Sequence, residues 1–242
     1  MIYLSNYLPC LIAKWADSAQ SLGVLVFGWV VTAVVAYLLG SLNSGIIVSK
    51  AKYGQDIRNF GSGNAGLTNM HRVYGKDGAL LTLAGDIGKQ IISVVIGALL
   101  LGIEGAYLAG TFCMLGHIFP VYYRFKGGKG VLTAATMILL IDPIIFAVLF
   151  IIFAVVLTFT RYVSLSSIIA AITYPAAVNV AYGMGENPTP VFALMFSLFV
   201  GVMVIFMHRT NLYRLFNGTE SKFSFHKKKA APTEDKEDKE DK

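Results

Sequence analysis

Residues 22–41 read LGVLVFGWVVTAVVAYLLGS, twenty consecutive positions without a charge. At 1.5 Å rise per residue, about 20 apolar residues cross a hydrocarbon slab about 30 Å thick. This stretch predicts a membrane-spanning helix, and the chain around it has the same character. Further apolar runs lie at about 79–100, 104–121, 131–141, 143–158, 163–182 and 190–207. Of 242 residues, 55% are hydrophobic and 14% charged, against roughly 45–50% and roughly 25% in soluble domains. That balance excludes a soluble globule, a disordered chain and a basic nucleic-acid binder. Two cysteines, Cys10 and Cys113, are too few for a disulfide framework or a four-thiolate metal site.

The run 131–158 is interrupted at Asp142-Pro143. As one helix it would be about 42 Å long, too long without strong tilt; as two, each is short. Charge decides between them. With a break there, 18 of the 20 Lys and Arg fall on one side, leaving only Lys14 and Lys89. Without it, Arg161 and the basic tail move to the other face. The positive-inside rule therefore predicts an all-α integral membrane protein of about seven transmembrane helices, N-terminus outside and C-terminus cytoplasmic. Residues 1–20 contain Lys14, Trp15 and Asp17 and lack a small-residue cleavage site. They are expected to form an extracytoplasmic or interfacial segment. Residues 21–222 make the membrane domain. Residues 223–242, ending EDKEDKEDK, are expected to be a disordered cytoplasmic tail.

Three polar segments fall on the same predicted face. The first, from Gly40 to Gly78, contains Gly61-Ser-Gly63-Asn-Ala-Gly66, with Asp86 twenty residues on. This matches the spacing of a dinucleotide fingerprint, but that motif needs a preceding strand and a soluble βαβ unit. A membrane span stands there instead. What survives is backbone able to turn N–H groups toward an anion. Ser62, Asn64, Thr68 and Asn69 add neutral donors, and Arg72 adds a guanidinium fork suited to phosphate. The second segment holds Gly116-His-Ile-Phe-Pro120 and Lys126-Gly127-Gly128-Lys129-Gly130, two ammonium groups beside a glycine turn at a helix start. It reads equally as an anion site or as an ordinary positive loop, and His117 as a packing residue. The third, His208-Arg-Thr-Asn211-Leu-Tyr-Arg214, puts His208 and Asn211 on one face if the helix continues, with Arg214 near the same stripe. Asp86 and Lys89, three apart in an apolar run, are expected to pair or to line a polar cavity.

Taken in series these segments resemble the bacterial acyl-phosphate:glycerol-3-phosphate acyltransferases. The likeness rests on Gly61 to Arg72, on GHxFP with FKGGKG from Gly116 to Gly130, and on His208 to Glu220. It extends to GSLNSG at Gly40–Gly45, to Asp86 and Lys89, and to Arg161-Tyr-Val-Ser164. The resemblance implies an enzyme of the bacterial cytoplasmic membrane that moves an acyl group from acyl phosphate to the 1-hydroxyl of sn-glycerol 3-phosphate. Lysophosphatidate and inorganic phosphate would be the products. By resemblance Ser62, Arg72, Lys129, His208 and Asn211 are the activity residues. Ser41, Gly61, Gly63, Asn64, Gly66, Thr68, Asn69, Lys126, Gly127, Gly128, Gly130, Ser164 and Arg214 join them as substrate contacts. Asp86, Lys89 and Glu220 are structural.

The residues themselves fit that chemistry. Acyl phosphate is a mixed anhydride with a good leaving group, so no covalent enzyme intermediate is required, and neither a cofactor nor a metal is expected. Two anion pockets are needed, one for the donor's phosphate and one for the acceptor's. Ser62 and Arg72 are assigned to the donor, Lys129 with the Gly127–Gly128 turn to glycerol phosphate. His208 either takes the hydroxyl proton or only positions the acceptor. Seven spans with an intramembrane Asp and Lys also suit a transporter of a phosphorylated metabolite, and a basic cytoplasmic face suits a scaffold. Chemistry gathered at one surface favours the enzyme.

Overall fold

A computed structural model describes residues 22–183 and 191–223. The expected interfacial segment at 1–20, the connection near 183–189 and the tail from 224 lie outside the described residues. The described chain is helical. Helix α1 (Leu22–Ser41) leads into α2 (Ser44–Tyr53) and a 3₁₀ turn at Ile57–Asn59. Then follow α3 (Leu67–Ile118), a second 3₁₀ turn at Val121–Tyr123, α4 (Val131–Ile141), α5 (Pro143–Thr160), α6 (Val163–Gly183), α7 (Val191–Met207) and α8 (Arg209–Phe216).

Among the described residues, four helical stretches are long and apolar enough to cross a membrane: Leu22–Tyr53, Leu67–Tyr123, Pro143–Thr160 and Val163–Gly183. Val191–Met207 with Arg209–Phe216, bent by 57°, makes a fifth. The apolar segments thus fall where the sequence places them, while α4, with 11 residues, is too short to cross alone. The break at 131–158 is real. Asp142 leaves helical geometry (φ −132°, ψ 73°), and Pro143 starts α5 at the position where a missing N–H costs nothing.

Leu67–Tyr123 spans 57 residues, about 85 Å if straight. It is not straight. Gly75 (φ 75°) and Gly102 (φ 68°) leave helical geometry, and at Gly102 the chain folds back. Gln90 Nε2 donates to the Gly110 carbonyl at 3.1 Å, and a Cβ on Gly97 would stand 2.1 Å from the Gly105 carbonyl oxygen. The two limbs, 76–101 and 103–118, are therefore an antiparallel pair whose backbones touch through glycine, as membrane helices pack in the absence of a hydrophobic drive. Helix α1 packs against the second limb in the same way. A Cβ on Gly40 would meet the Cys113 carbonyl at 2.1 Å, and one on Gly116 the Tyr37 carbonyl at 2.2 Å.

The expected pairing of Asp86 and Lys89 occurs inside this cluster. Lys89 Nζ lies 2.8 Å from Asp86 Oδ1 and donates to the carbonyls of Gly40 (3.1 Å) and Leu42 (3.0 Å) at the C-terminal end of α1. It also lies 3.0 Å from His117 Nδ1. One buried ammonium thus fastens α1 to both limbs of α3, meeting a carboxylate and the negative end of a helix.

Gly97→Ala inserts a methyl where the two limbs touch, and overpacking of this kind costs about 1–3 kcal/mol. The variant is expected to unfold at a lower temperature in detergent, and an unchanged midpoint would contradict the direct contact.

Candidate active site

The first loop, from Gly61 to Gly66, is shaped from within. Asn69, in the first turn of α3 and 2% exposed, reaches back into it. Its Oδ1 accepts from the Ser62 amide at 2.9 Å, and its Nδ2 donates to the carbonyls of Phe60 (3.0 Å) and Asn64 (2.9 Å). Gly61 has φ +60°, and a Cβ there would fall 2.3 Å from Asn69 Oδ1. Asn69, expected to touch substrate, is committed to the loop. Gly66 caps α3 without a side-chain bond. The amides of Asn69 and Met70 donate to the Gly66 carbonyl, both at 3.1 Å, which leaves those of Leu67 and Thr68, the first amides of the helix, without an intrahelical partner at the positive end of its dipole.

The second loop lies on the end of the 103–118 limb. The amides of Gly127 and Gly128 donate to the carbonyls of Ile118 and His117, both at 3.1 Å. A Cβ on Gly127 would stand 2.1 Å from the His117 oxygen, and one on Gly128 2.0 Å from His117 Nε2. These glycines permit close approach, but their N–H groups are already bonded rather than turned toward a ligand. Lys129 and the start of α4 follow directly. There Gly130 (φ +79°) caps the helix with no side-chain bond.

Arg58 was not singled out by the sequence, yet it ties the first loop to the second. Its Nη2 donates to Asp56 Oδ2 at 2.7 Å and its Nη1 to the Tyr123 carbonyl at 2.9 Å. Hydrogen bonding from Arg58 holds the Asp56 carboxyl down at about 2. The available signal was Asp56 as N-cap of the turn that begins at Ile57.

The third segment does not meet the condition of a continuous helix on which its shared face depended. The chain bends by 57° between α7 and α8, and His208 sits at the bend, 3% exposed. Its Nδ1 lies 2.7 Å from the Val204 carbonyl. A carbonyl only accepts, so Nδ1 carries the proton and the neutral ring keeps its lone pair on Nε2. On α8, Asn211 Oδ1 accepts from Lys129 Nζ, and Asn211 Nδ2 donates to Glu220 Oε1 at 2.7 Å. Ser164 Oγ donates to the same oxygen at 2.7 Å. Lys129, Asn211, Glu220 and Ser164 form one polar chain, in which Glu220 joins α8 to α6.

All three segments open on one cavity of about 500 Å³. Its polar end is lined by Ser62, Asn64, Gly66, Thr68, Asn69, Arg72, Lys129, Gly130, Ser164, His208, Asn211, Arg214 and Glu220. Asp86 and His117 also line it, which the sequence did not anticipate for His117. Most of the remaining wall is apolar, from Leu67 and Ile87 of α3 and from α4, α5, α6 and α7, with Thr136, Ser167, Tyr174 and Ser221 adding hydroxyl-bearing side chains. Ser41, Gly61, Gly63, Lys126, Gly127, Gly128 and Lys89 do not line it. Ser41 Oγ donates instead to the Tyr37 carbonyl at 2.8 Å and accepts from the Val121 amide at 3.3 Å.

The family model described as glycerol-3-phosphate acyltransferase matches residues 30–218. The chain belongs to that family. It is 41% identical over 193 residues to the glycerol-3-phosphate acyltransferase of Thermoanaerobacter sp. (strain X514), covering 80% of this chain and 94% of the relative. To that of Bacillus cytotoxicus it is 42% identical over 195 residues, covering 81% and 95%. In structure it is similar to PlsY, an integral membrane glycerol 3-phosphate acyltransferase, crystallised in a glycerol 3-phosphate form. The TM-score is 0.74 at 36% identity, covering 81% of this chain and 96% of that one. The lysophosphatidic acid form matches with a TM-score of 0.71 at 33% identity, covering 81% and 96%.

Electrostatics at the polar end of this family member are tuned by burial. Desolvation, opposed by Glu220 and reinforced by Arg214 and Arg72, brings Lys129 down to about 8. At neutral pH the ammonium is charged, with no carboxylate as its direct partner. Modification of Lys129 by an amine-directed reagent, followed by mass spectrometry, is expected to rise through a pKa near 8. A rise only near the ordinary lysine value of about 10.4 would contradict its buried placement.

Proposed function

We propose that this protein transfers an acyl group from acyl phosphate to the 1-hydroxyl of sn-glycerol 3-phosphate. The products are 1-acyl-sn-glycerol 3-phosphate and inorganic phosphate, and the site is the cytoplasmic membrane of a bacterium. One observation carries this reading. A single cavity has a cationic end, built from Arg72, Lys129, Arg214 and two uncapped helix starts, and an apolar body walled by four helices. Such a cavity suits an anionic headgroup joined to an acyl chain. Family membership and the likeness to a solved glycerol 3-phosphate acyltransferase support it. The predominance of basic residues in the loops at that end supports a cytoplasmic mouth, with the N-terminus outside and about seven crossings. The short α4 would then pair with α5 to make two of them.

In this reading Arg72, Ser62 Oγ and the first amides of α3 hold the donor's phosphate and the charge that develops on its carbonyl oxygen. Lys129, Arg214 and the start of α4 hold the phosphate of glycerol 3-phosphate. Asn211 fixes Lys129, and Glu220 fixes Asn211 and Ser164. The acceptor hydroxyl oxygen attacks the acyl carbonyl carbon, the carbon–oxygen bond to phosphate breaks, and phosphate leaves with the electron pair. His208 Nε2 accepts the hydroxyl proton. No cofactor is required. The cationic groups Arg72, Lys129 and Arg214 belong to the three polar segments that meet at one cavity, which argues against carriage across the membrane, a process that needs access from both faces.

Purified protein in detergent, given labelled glycerol 3-phosphate, is expected to turn over palmitoyl phosphate and neither palmitoyl-CoA nor palmitoyl-acyl carrier protein. Turnover with a thioester donor alone would overturn the proposal. Arg72→Lys keeps the charge and loses the fork, and should lower kcat/KM by more than about tenfold.

The pH profile is a further test. Lys129 must be charged to hold phosphate, so kcat/KM should fall as pH rises through about 8, and Lys129→Arg should move that limb upward.

A further inference from the structure

The cavity stops at one level on four helices. Its deepest lining residues are Ile138 and Leu139 on α4, Phe146 on α5, Tyr174 on α6 and Val200 on α7. From Ser164 at the polar end to Tyr174 is about 15 Å along α6, and from His208 back to Val200 about 12 Å. Half of a hydrocarbon slab about 30 Å thick is also about 15 Å, the depth that one acyl chain fills in a leaflet.

Tyr174, 1% exposed, is firmly backed. Its ring meets Phe196 edge-on at 6.1 Å between centroids, and Phe196 lies 5.7 Å from the ring of Tyr107. Tyr107 Oη donates to Asp142 Oδ2 at 2.8 Å, and Tyr182 Oη donates to Asp142 Oδ1. Asp142 is 5% exposed and lies at the α4–α5 break, away from the polar end of the cavity. The chemistry gives this costly buried carboxyl no role. As an anchor that fixes the aromatic stack behind Tyr174 it has one.

We propose that Tyr174 is the floor of the acyl pocket and sets the longest acyl chain the protein takes in, with Asp142, Tyr107 and Phe196 as positioning residues behind it. This inference rests on the acyl-transfer reading above. A donor shorter than the pocket gains contact with each methylene; a longer one must bend or leave the pocket.

The test measures kcat/KM for a ladder of saturated acyl phosphates from lauroyl to arachidoyl. For the wild type the value should climb by up to about fourfold per added methylene to a maximum and then stop rising. Tyr174→Ala should move the maximum to a longer donor and Tyr174→Trp to a shorter one, with the KM for glycerol 3-phosphate unchanged. Tyr174→Leu, which keeps an apolar side chain in place, serves if alanine fails to fold. Asp142→Ala should flatten the maximum, which a loss of stability alone would not do. An active Tyr174 variant whose maximum stays put overturns the floor and leaves acyl transfer intact; the chain would then leave sideways past Phe150. A wild type inactive with every donor overturns the acyl-transfer reading, and the floor with it.

Discussion

A lysine in an apolar interior must be compensated, and the way two lysines are compensated separates scaffold from site in this molecule. Lys89 has a carboxylate at 2.8 Å and two helix-end carbonyls. Nothing is left over for a ligand. Lys129 has a neutral amide as its direct partner, and the carboxylate of Glu220 stands one residue further along the chain of contacts. Burial lowers its pKa, and in the proposed reading an arriving phosphate completes its compensation. Arg72 and Arg214 and the starts of α3 and α4 surround the same space. In the proposed reading their like charges are offset by the anions that bind there.

Glycine makes this arrangement possible by removing side chains where backbones must touch. Gly40, Gly97 and Gly116 bring α1 and both limbs of α3 within van der Waals reach of carbonyls. Gly127 and Gly128 lay the second loop on His117 by the same means. His117 in turn meets Lys89 through its ring and the loop through its carbonyl. The position of Lys129 thus depends on packing two helices away, and the fold and the site share one set of close contacts.

Much of this was legible in the sequence. The apolar runs marked the helices, Asp142-Pro143 marked a true break, and the three polar segments met at one cavity. What escaped was three-dimensional. The fold-back at Gly102 joins two expected helices so closely that they form one continuous assignment, and no local signal sets its geometry. Gly127 and Gly128 were read as a turn beside two ammonium groups. Their close approach to His117, which a side chain would block, could not be seen without the fold. Asn69 was indistinguishable from Ser62 and Thr68 as a donor until its side chain was seen bonded into its own loop. The bend at His208 was hidden because a helix that stops and restarts after one residue keeps nearly the same periodicity. Arg58 linked two loops through backbone carbonyls, which leave no trace in composition.

The central claim is that headgroup and chain occupy the two ends of one cavity. A structure of the protein with a non-hydrolysable acyl phosphonate tests it most directly. The phosphonate should lie within hydrogen-bond reach of the Arg72 guanidinium and the first amides of α3, with the chain running between α4, α5, α6 and α7. A phosphonate bound outside this cavity, or a chain lying wholly on the outer surface of the helices, would contradict the account.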